Sequence, residues 1–277
     1  MNYQYEKEGE VSNAVMSNAP VYYALAQAKF NPIAAIAKYI NDIQDVFRKK
    51  GFTIFEMHEG TQLYFDLLPG EENPKPRIAN IVNWQIIKSD RTCGYILNDT
   101  SIAFHTTHYL THHEFLKGLL EGIEVVHEVV TLEHLSRLGL RYLDAVLPVG
   151  DETPNDYLVD QLHGVSLGKK HLQTVNESVY ETAVIPVIMQ GVLVTRIHKI
   201  FAELGFPPDL SASGLVMKEC FRTEKPVQHA IIDTDHYVDG HININMEAIS
   251  QQLESLHGEI KKTFHAMVTD HAEKTWQ

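Results

Sequence analysis

Four histidines crowd one short stretch, His105, His108, His112 and His113. Imidazoles at such spacing can hold zinc, copper or iron when their lone pairs converge. Here the stretch crosses a strand end, a turn and a helix cap, so the plainer expectation is a polar loop that uses histidine. A second candidate is Asp233-Thr234-Asp235-His236, with Asp239 and His241 close behind. Alternation along a strand puts Asp233 and Asp235 on one face. Two carboxylates on one face can hold Mg²⁺ or share a proton. The plainer expectation is a solvent face that carries the pair, with Ile232 and Thr234 turned the other way. His113-Glu114 and His127-Glu128 each begin the H-E-x-x-H zinc pattern, but Lys117 and Thr131 stand where the second histidine belongs. Ser211-Ala212-Ser213-Gly214 lacks the first glycine of a nucleophile elbow. No glycine pattern of a phosphate or dinucleotide loop occurs, and no cofactor is implied. Cys93 and Cys220 read as small buried hydrophobes in strands. His127 and His271 read as satisfied core histidines.

The elements that position these residues follow from patterning. Tyr95-Ile96-Leu97 and Ile102-Ala103-Phe104 flank the turn formers Asn98-Asp99-Thr100, which predicts a hairpin. Thr111 to Glu114 matches a capping box, and Leu116, Leu119, Leu120, Ile123, Val126 and Val130 form one helical stripe. Gly139 is expected to end that helix, and Leu140 to Leu143 lead into a strand stopped by Pro148. Upstream, Val21 to Phe30 reads as a strand. Asn31-Pro32 is expected to open a helix that Gly51 closes, with Ile33, Ile36, Ala37, Ile40, Ile43 and Phe47 on its apolar face. Short strands at 52–56 and 63–67 are expected around Gly60, then a Pro- and Glu-rich loop from Pro69 to Pro76, then a strand over 78–88. Downstream, 179–188, 191–200, 215–222 and 230–237 read as strands; the period of 191–200 also fits a helix. Gly205 to Leu210 reads as a rigid turn. Asn245 caps a last helix expected to run to about Thr275.

A meander followed by a long amphipathic helix thus occurs twice, over about 78–136 and 180–275. The expected fold is α+β, a duplicated antiparallel β-meander with helices packed on the sheet. The expected organisation is a flexible lead-in over 1–17, an α+β unit over 18–148, a connecting segment over 149–178 with a short helix near 155–162, and a second α+β unit over 179–277.

The 277 residues are 44% hydrophobic, enough for one large or two moderate cores, and carry a formal net charge of -13. That charge opposes broad binding to nucleic acid or to an anionic membrane, both of which need a positive surface. The basic runs Arg48-Lys49-Lys50 and Lys169-Lys170-His171 read as solvated ends. Two cysteines make no disulfide framework, and the opening residues do not resemble a secretory signal. The apolar run 183–194 is short and interrupted by Pro186, Gln190 and Gly191, so a cytoplasmic protein is expected.

Six motifs in order are Asn18-Ala19-Pro20-Val21, Phe30-Asn31-Pro32, Arg141-Tyr142-Leu143-Asp144, Phe206-Pro207-Pro208-Asp209-Leu210, Ile232-Asp233-Thr234-Asp235, and Leu256-His257 with Phe264, Thr269 and Trp276. Together they resemble a sporadically distributed bacterial family of uncharacterised proteins, over nearly the whole chain. The resemblance carries no reaction. Its patchy occurrence implies phage-defence or toxin-linked loci, and it marks Arg141, Asp233, Asp235, His257 and Trp276 as positions to test; with His236 from the acidic run, these are the expected binding residues. The expected function is a non-enzymatic adaptor that holds another protein, or a second copy of itself, as an accessory or neutraliser. The alternative is a metal-dependent enzyme or metal-binding protein that uses Asp233, Asp235 and His236, or the histidines from His105 to His113. A small-molecule sensor with a pocket between sheet and helices is a third reading.

Overall fold

The computed structural model describes residues 18–65, 76–165, 173–186 and 189–277, with the side chains of 61–65 and 76–80 excepted. The expected lead-in, the loop over 69–75 and the Lys169-Lys170-His171 run lie outside them. The elements are β1 (Val21–Phe30), α1 (Ile36–Lys49), β2 (Ile54–Phe65), β3 (Pro76–Ile87), β4 (Cys93–Leu97), β5 (Ser101–Thr106), α2 (His112–Val130), β6 (His134–Val146), α3 (Pro154–Tyr157), β7 (Gln173–Val184), β8 (Met189–Ala202), β9 (Val227–Asn243), α4 (Met246–Met267) and α5 (Asp270–Trp276). The nine strands among the described residues form one antiparallel sheet in the order β2-β3-β4-β5-β1-β6-β9-β8-β7. The fold is α+β, with β1 and β6 at the centre and β2 and β7 at the two edges.

Alternation divides the central strands between two cores. On one face Ala24, Ala26 and Ala28 of β1 and Leu138, Leu140 and Tyr142 of β6 meet the stripes of α1, α2 and α4. Two glycines one turn apart let α2 lie close on the β4–β5 hairpin. A Cβ at Gly118 would fall 2.4 Å from the Phe104 ring, and one at Gly122 would fall 2.7 Å from Tyr95. On the other face Tyr23, Leu143, Ala145 and Ile231 are covered by the irregular segment after β8, through Leu204, Phe206, Met217 and Phe221. A third cluster joins Val146, Ile197 and Ile232 to Tyr157, Ala272 and Trp276.

Several expected boundaries move, each for a tertiary reason. α1 begins at Ile36 rather than after Asn31-Pro32, because the Phe30 and Ile33 amides donate to Thr100 and Asp99 of the hairpin turn. Ala37 is exposed and leaves the apolar stripe. β2 runs straight through Gly60, which pairs with Ile81. α2 stops at Thr131, whose φ of 56° closes it, and Gly139 lies inside β6. There Gly139 makes room for Tyr237 across the ladder, since a Cβ would sit 3.0 Å from that of Tyr237. The Arg137 guanidinium lies 3.4 Å over the same Tyr237 ring. Residues 191–200 are strand, within β8. Residues 215–222 are not strand: Met217 and Phe221 cover the sheet instead of joining it, and Cys220 is exposed. The last helix breaks at Val268, because Leu158 bridges to it and the Val159 and Thr269 amides exchange bonds with Met267 and Tyr157. Thr269 then caps α5 by accepting from the Ala272 amide. His271 is no core histidine; it lies half exposed, 3.0 Å from Glu152. No helix among the described residues is long and apolar enough to cross a membrane.

Candidate functional site

The run Arg141-Tyr142-Leu143-Asp144 of β6 organises both faces of the sheet. Arg141 and Leu143 point to one face, Tyr142 and Asp144 to the other. On the first face Arg141 donates from Nε and Nη2 to both oxygens of Asp233, each at 2.8 Å. Its Nη1 also donates to Asp209 at 2.6 Å. Arg196 stands 3.8 Å from Asp233, and His198 3.7 Å. The Asp233 side chain is wholly buried. Burial alone would raise its pKa, but His198 and the forked Arg141 contact hold the carboxyl below the ordinary range. The cluster ties β6, β9 and the covering segment together through one guanidinium. Asp235 shares that face, and burial pushes its carboxyl up.

On the helix face β6 floors a cavity of about 610 Å³. Its walls come from Ala19, Pro20 and Val21 before and at the start of β1, from Tyr109 to His113 at the start of α2, and from His257, Ile260, Lys261 and Phe264 of α4. Asp144 lies within it, 5% exposed. Burial, and behind it the charge of Asp233, pushes the Asp144 carboxyl up to about 8. Tyr142 hydroxyl lies 3.4 Å from His257 Nδ1, and the ring of Tyr109 meets that of Tyr142 edge-on at 5.5 Å. Burial, then the charges of His112 and its neighbours, push the His257 imidazole down to about 3, so it is neutral and able to accept. His112 stacks on His257 at 4.5 Å and 11°. At the mouth, His112 Nε2 and His113 Nδ1 lie 3.5 and 3.3 Å from the Glu254 carboxylate. These three are the group among the described residues whose ligand atoms fit around one metal ion.

The expected histidine cluster is therefore split. His105 is buried on the opposite face, 3.2 Å from the Tyr23 hydroxyl, and burial takes its imidazole down to about 4. His108 bonds to Thr107 in the loop. Only His112 and His113 come together, and the ligand they share is Glu254. Asp233, Asp235 and His236 are split as well. His236 is on the helix face between Thr182 and the Leu256 carbonyl, at 2.7 and 3.0 Å. The expected solvent face for the acidic pair is a covered one, and Asp233 is an ion-pair partner there. Trp276 is buried against Tyr157 and Phe264 and anchors α5.

Sequence reasoning missed Asp144, Tyr109, Tyr142, Glu254 and Lys261 as site residues. The available signal was Asp144 itself. It is an acid on the strand face that otherwise carries Leu138, Leu140, Tyr142 and Val146, and a lone charge on an apolar face calls for a partner. Three of the six motifs meet at the cavity, through Ala19, Pro20 and Val21, through Tyr142 and Asp144, and through His257 and Phe264. Arg141, Asp209 and Asp233 bring two more motifs to the reverse side of the same strand. No family model matches the chain, and no curated protein matches it.

Proposed function

We propose that the protein is a non-enzymatic binding protein, an adaptor, and that the helix-face cavity is where it recognises a small ligand. The observation that carries this is the convergence of Ala19 to Val21, of Tyr142 and Asp144, and of His257 to Phe264 with the start of α2 around one cavity. Its volume of about 610 Å³ suits a small molecule. The floor is a central strand and the walls are the start of β1, the start of α2 and the body of α4, so the site is largely organised before anything binds.

Engagement of another protein is supported by the sheet edges. β7 is an edge strand, and Val175, Val179 and Tyr180 on it are 49%, 61% and 51% exposed. Unpaired backbone groups beside exposed apolar side chains accept an added strand, from a partner or from a second copy. We read the strand order as two related halves, since β1-β5-β4-β3-β2 and β6-β9-β8-β7 run outward from the centre in the same sense. A role as accessory or neutraliser in a defence-type or toxin-linked setting rests on the sequence resemblance.

The test is native mass spectrometry of untagged protein isolated gently, compared with Ala19→Trp, which fills the cavity. Mass beyond the 31.4 kDa chain that disappears in the variant is the expected result. A bare chain in both, together with no small molecule found in the cavity by ligand-observed NMR, overturns the reading. A second reading, a metal-binding protein, is favoured by the meeting of His112, His113 and Glu254. It requires about one zinc per chain in the same spectrum, lost in His112→Ala.

A further inference from the structure

Asp144 is 5% exposed and lines the cavity, yet among the described residues its carboxyl takes no side-chain hydrogen bond and no ion pair. An acid buried in this way is unfavourable unless something completes it. The nearest guanidinium along the strand, Arg141, points to the other face and is occupied by Asp233 and Asp209. Among the basic groups that line the cavity, His112 and His257 stack on one another at 4.5 Å. His112 and His113 face Glu254, and His265 is paired with Glu273 at 2.6 Å. The charge of Lys261 bears on His112 and His257, whereas the charge that bears on Asp144 is that of Asp233.

The rest of the cavity shows what would complete it. The rings of Tyr109, Tyr142 and Phe264 line the space, and Pro20, Val21 and Ile260 add apolar wall. Aromatic faces attract cations most where water is excluded. The net charge of -13 adds a field that draws cations and repels anions.

We propose that this cavity binds a small organic cation, a protonated amine or guanidinium on an apolar or aromatic body. The charged head sits against Asp144, and the body lies among Tyr109, Tyr142 and Phe264. This rests on the reading of the cavity as the recognition site.

The experiment titrates the full chain, at a pH just above 8 where the Asp144 carboxyl is ionised, with benzylamine, with its neutral counterpart benzyl alcohol, and with benzoate, followed by ligand-observed NMR. Benzylamine is expected to bind at least tenfold more tightly than benzyl alcohol, with benzoate weakest. In Asp144→Asn the preference for the amine is expected to vanish while benzyl alcohol still binds. Equal binding of amine and alcohol by the wild-type chain overturns the cation assignment and leaves the cavity as a site for neutral molecules. Preference for benzoate overturns it likewise. Binding of none of the three overturns both this inference and the cavity reading. The comparison of ligands on the wild-type chain needs no variant, so poor folding of Asp144→Asn does not shield the proposal.

Discussion

Replacement of Asp144 by asparagine tests the electrostatics of the cavity floor without any ligand. The folded carboxyl titrates at about 8, against an ordinary 3.8. Between those values the unfolded chain has released its proton and the folded chain still holds one. The folded state therefore binds more protons, and its stability falls as pH rises through the window. The contribution is fully present below the ordinary aspartate range and is gone above about pH 8. Each pH unit inside the window is worth about 1.4 kcal/mol. From pH 5 to pH 8 the ceiling is about 4 kcal/mol, and relaxation and water entering the cavity bring the expectation to about 2 kcal/mol. Asparagine has no such slope. The titratable groups coupled to Asp144, namely Tyr22, Tyr109, Tyr142 and Asp233 behind the sheet, are common to both proteins and cancel in the difference. Thermal melts of both proteins at pH 5, 6, 7 and 8 provide the assay. The variant is expected to gain on the wild type by about 4–8 °C between the two ends, at about 2–4 °C per kcal/mol for a chain of this size. A difference in melting temperature that stays flat across this range refutes the argument, because a carboxyl with an ordinary pKa or a hidden cationic partner would produce it.

Two further outcomes follow from packing and charge. Asp233→Ala strands Arg141, 11% exposed, with Asp209 as its remaining carboxylate partner, and is expected to destabilise the fold by about 3–5 kcal/mol in urea unfolding; in a double-mutant cycle Arg141→Met is expected to restore part of that loss. Gly118→Ala places a Cβ 2.4 Å from the buried Phe104 ring and is expected to lower stability by about 1–3 kcal/mol, with Phe104→Leu on the same background recovering much of it.

What the sequence made legible was local. The 95–97 and 102–104 hairpin follows from its Asn-Asp turn, and the start of α2 follows from Thr111, which accepts from the Glu114 amide at 3.3 Å. Both are decided by residues a few positions apart. The errors came where distant residues decide. Gly139 looks like a helix stop until Tyr237 is set opposite it, some hundred residues later. The 215–222 run has the composition of a strand, but its apolar residues lie over a sheet whose edges are elsewhere. The site was half legible. Arg141, Asp233 and His257 were singled out, yet nothing in the order of residues tells that β6 turns Arg141 and Asp144 to opposite faces of one sheet. The metal-type clusters failed for the same reason. Closeness in sequence put His105 with His113, whereas alternation and a loop placed them on different sides.

The strand order also dictates how the chain must find its structure. The outer hairpins β2–β3, β4–β5 and β7–β8 join neighbours in sequence, while β1 meets β5 and β6, and β6 meets β9, only after closure of loops of roughly 70 to 100 residues. Long-range closure is the slow part of folding. The two wings can form early, and the seam β5-β1-β6-β9 is the last to zip. Both the Arg141–Asp233 clamp and the floor of the cavity lie on that seam. Both depend on that seam, so a chain in which it is still open holds neither.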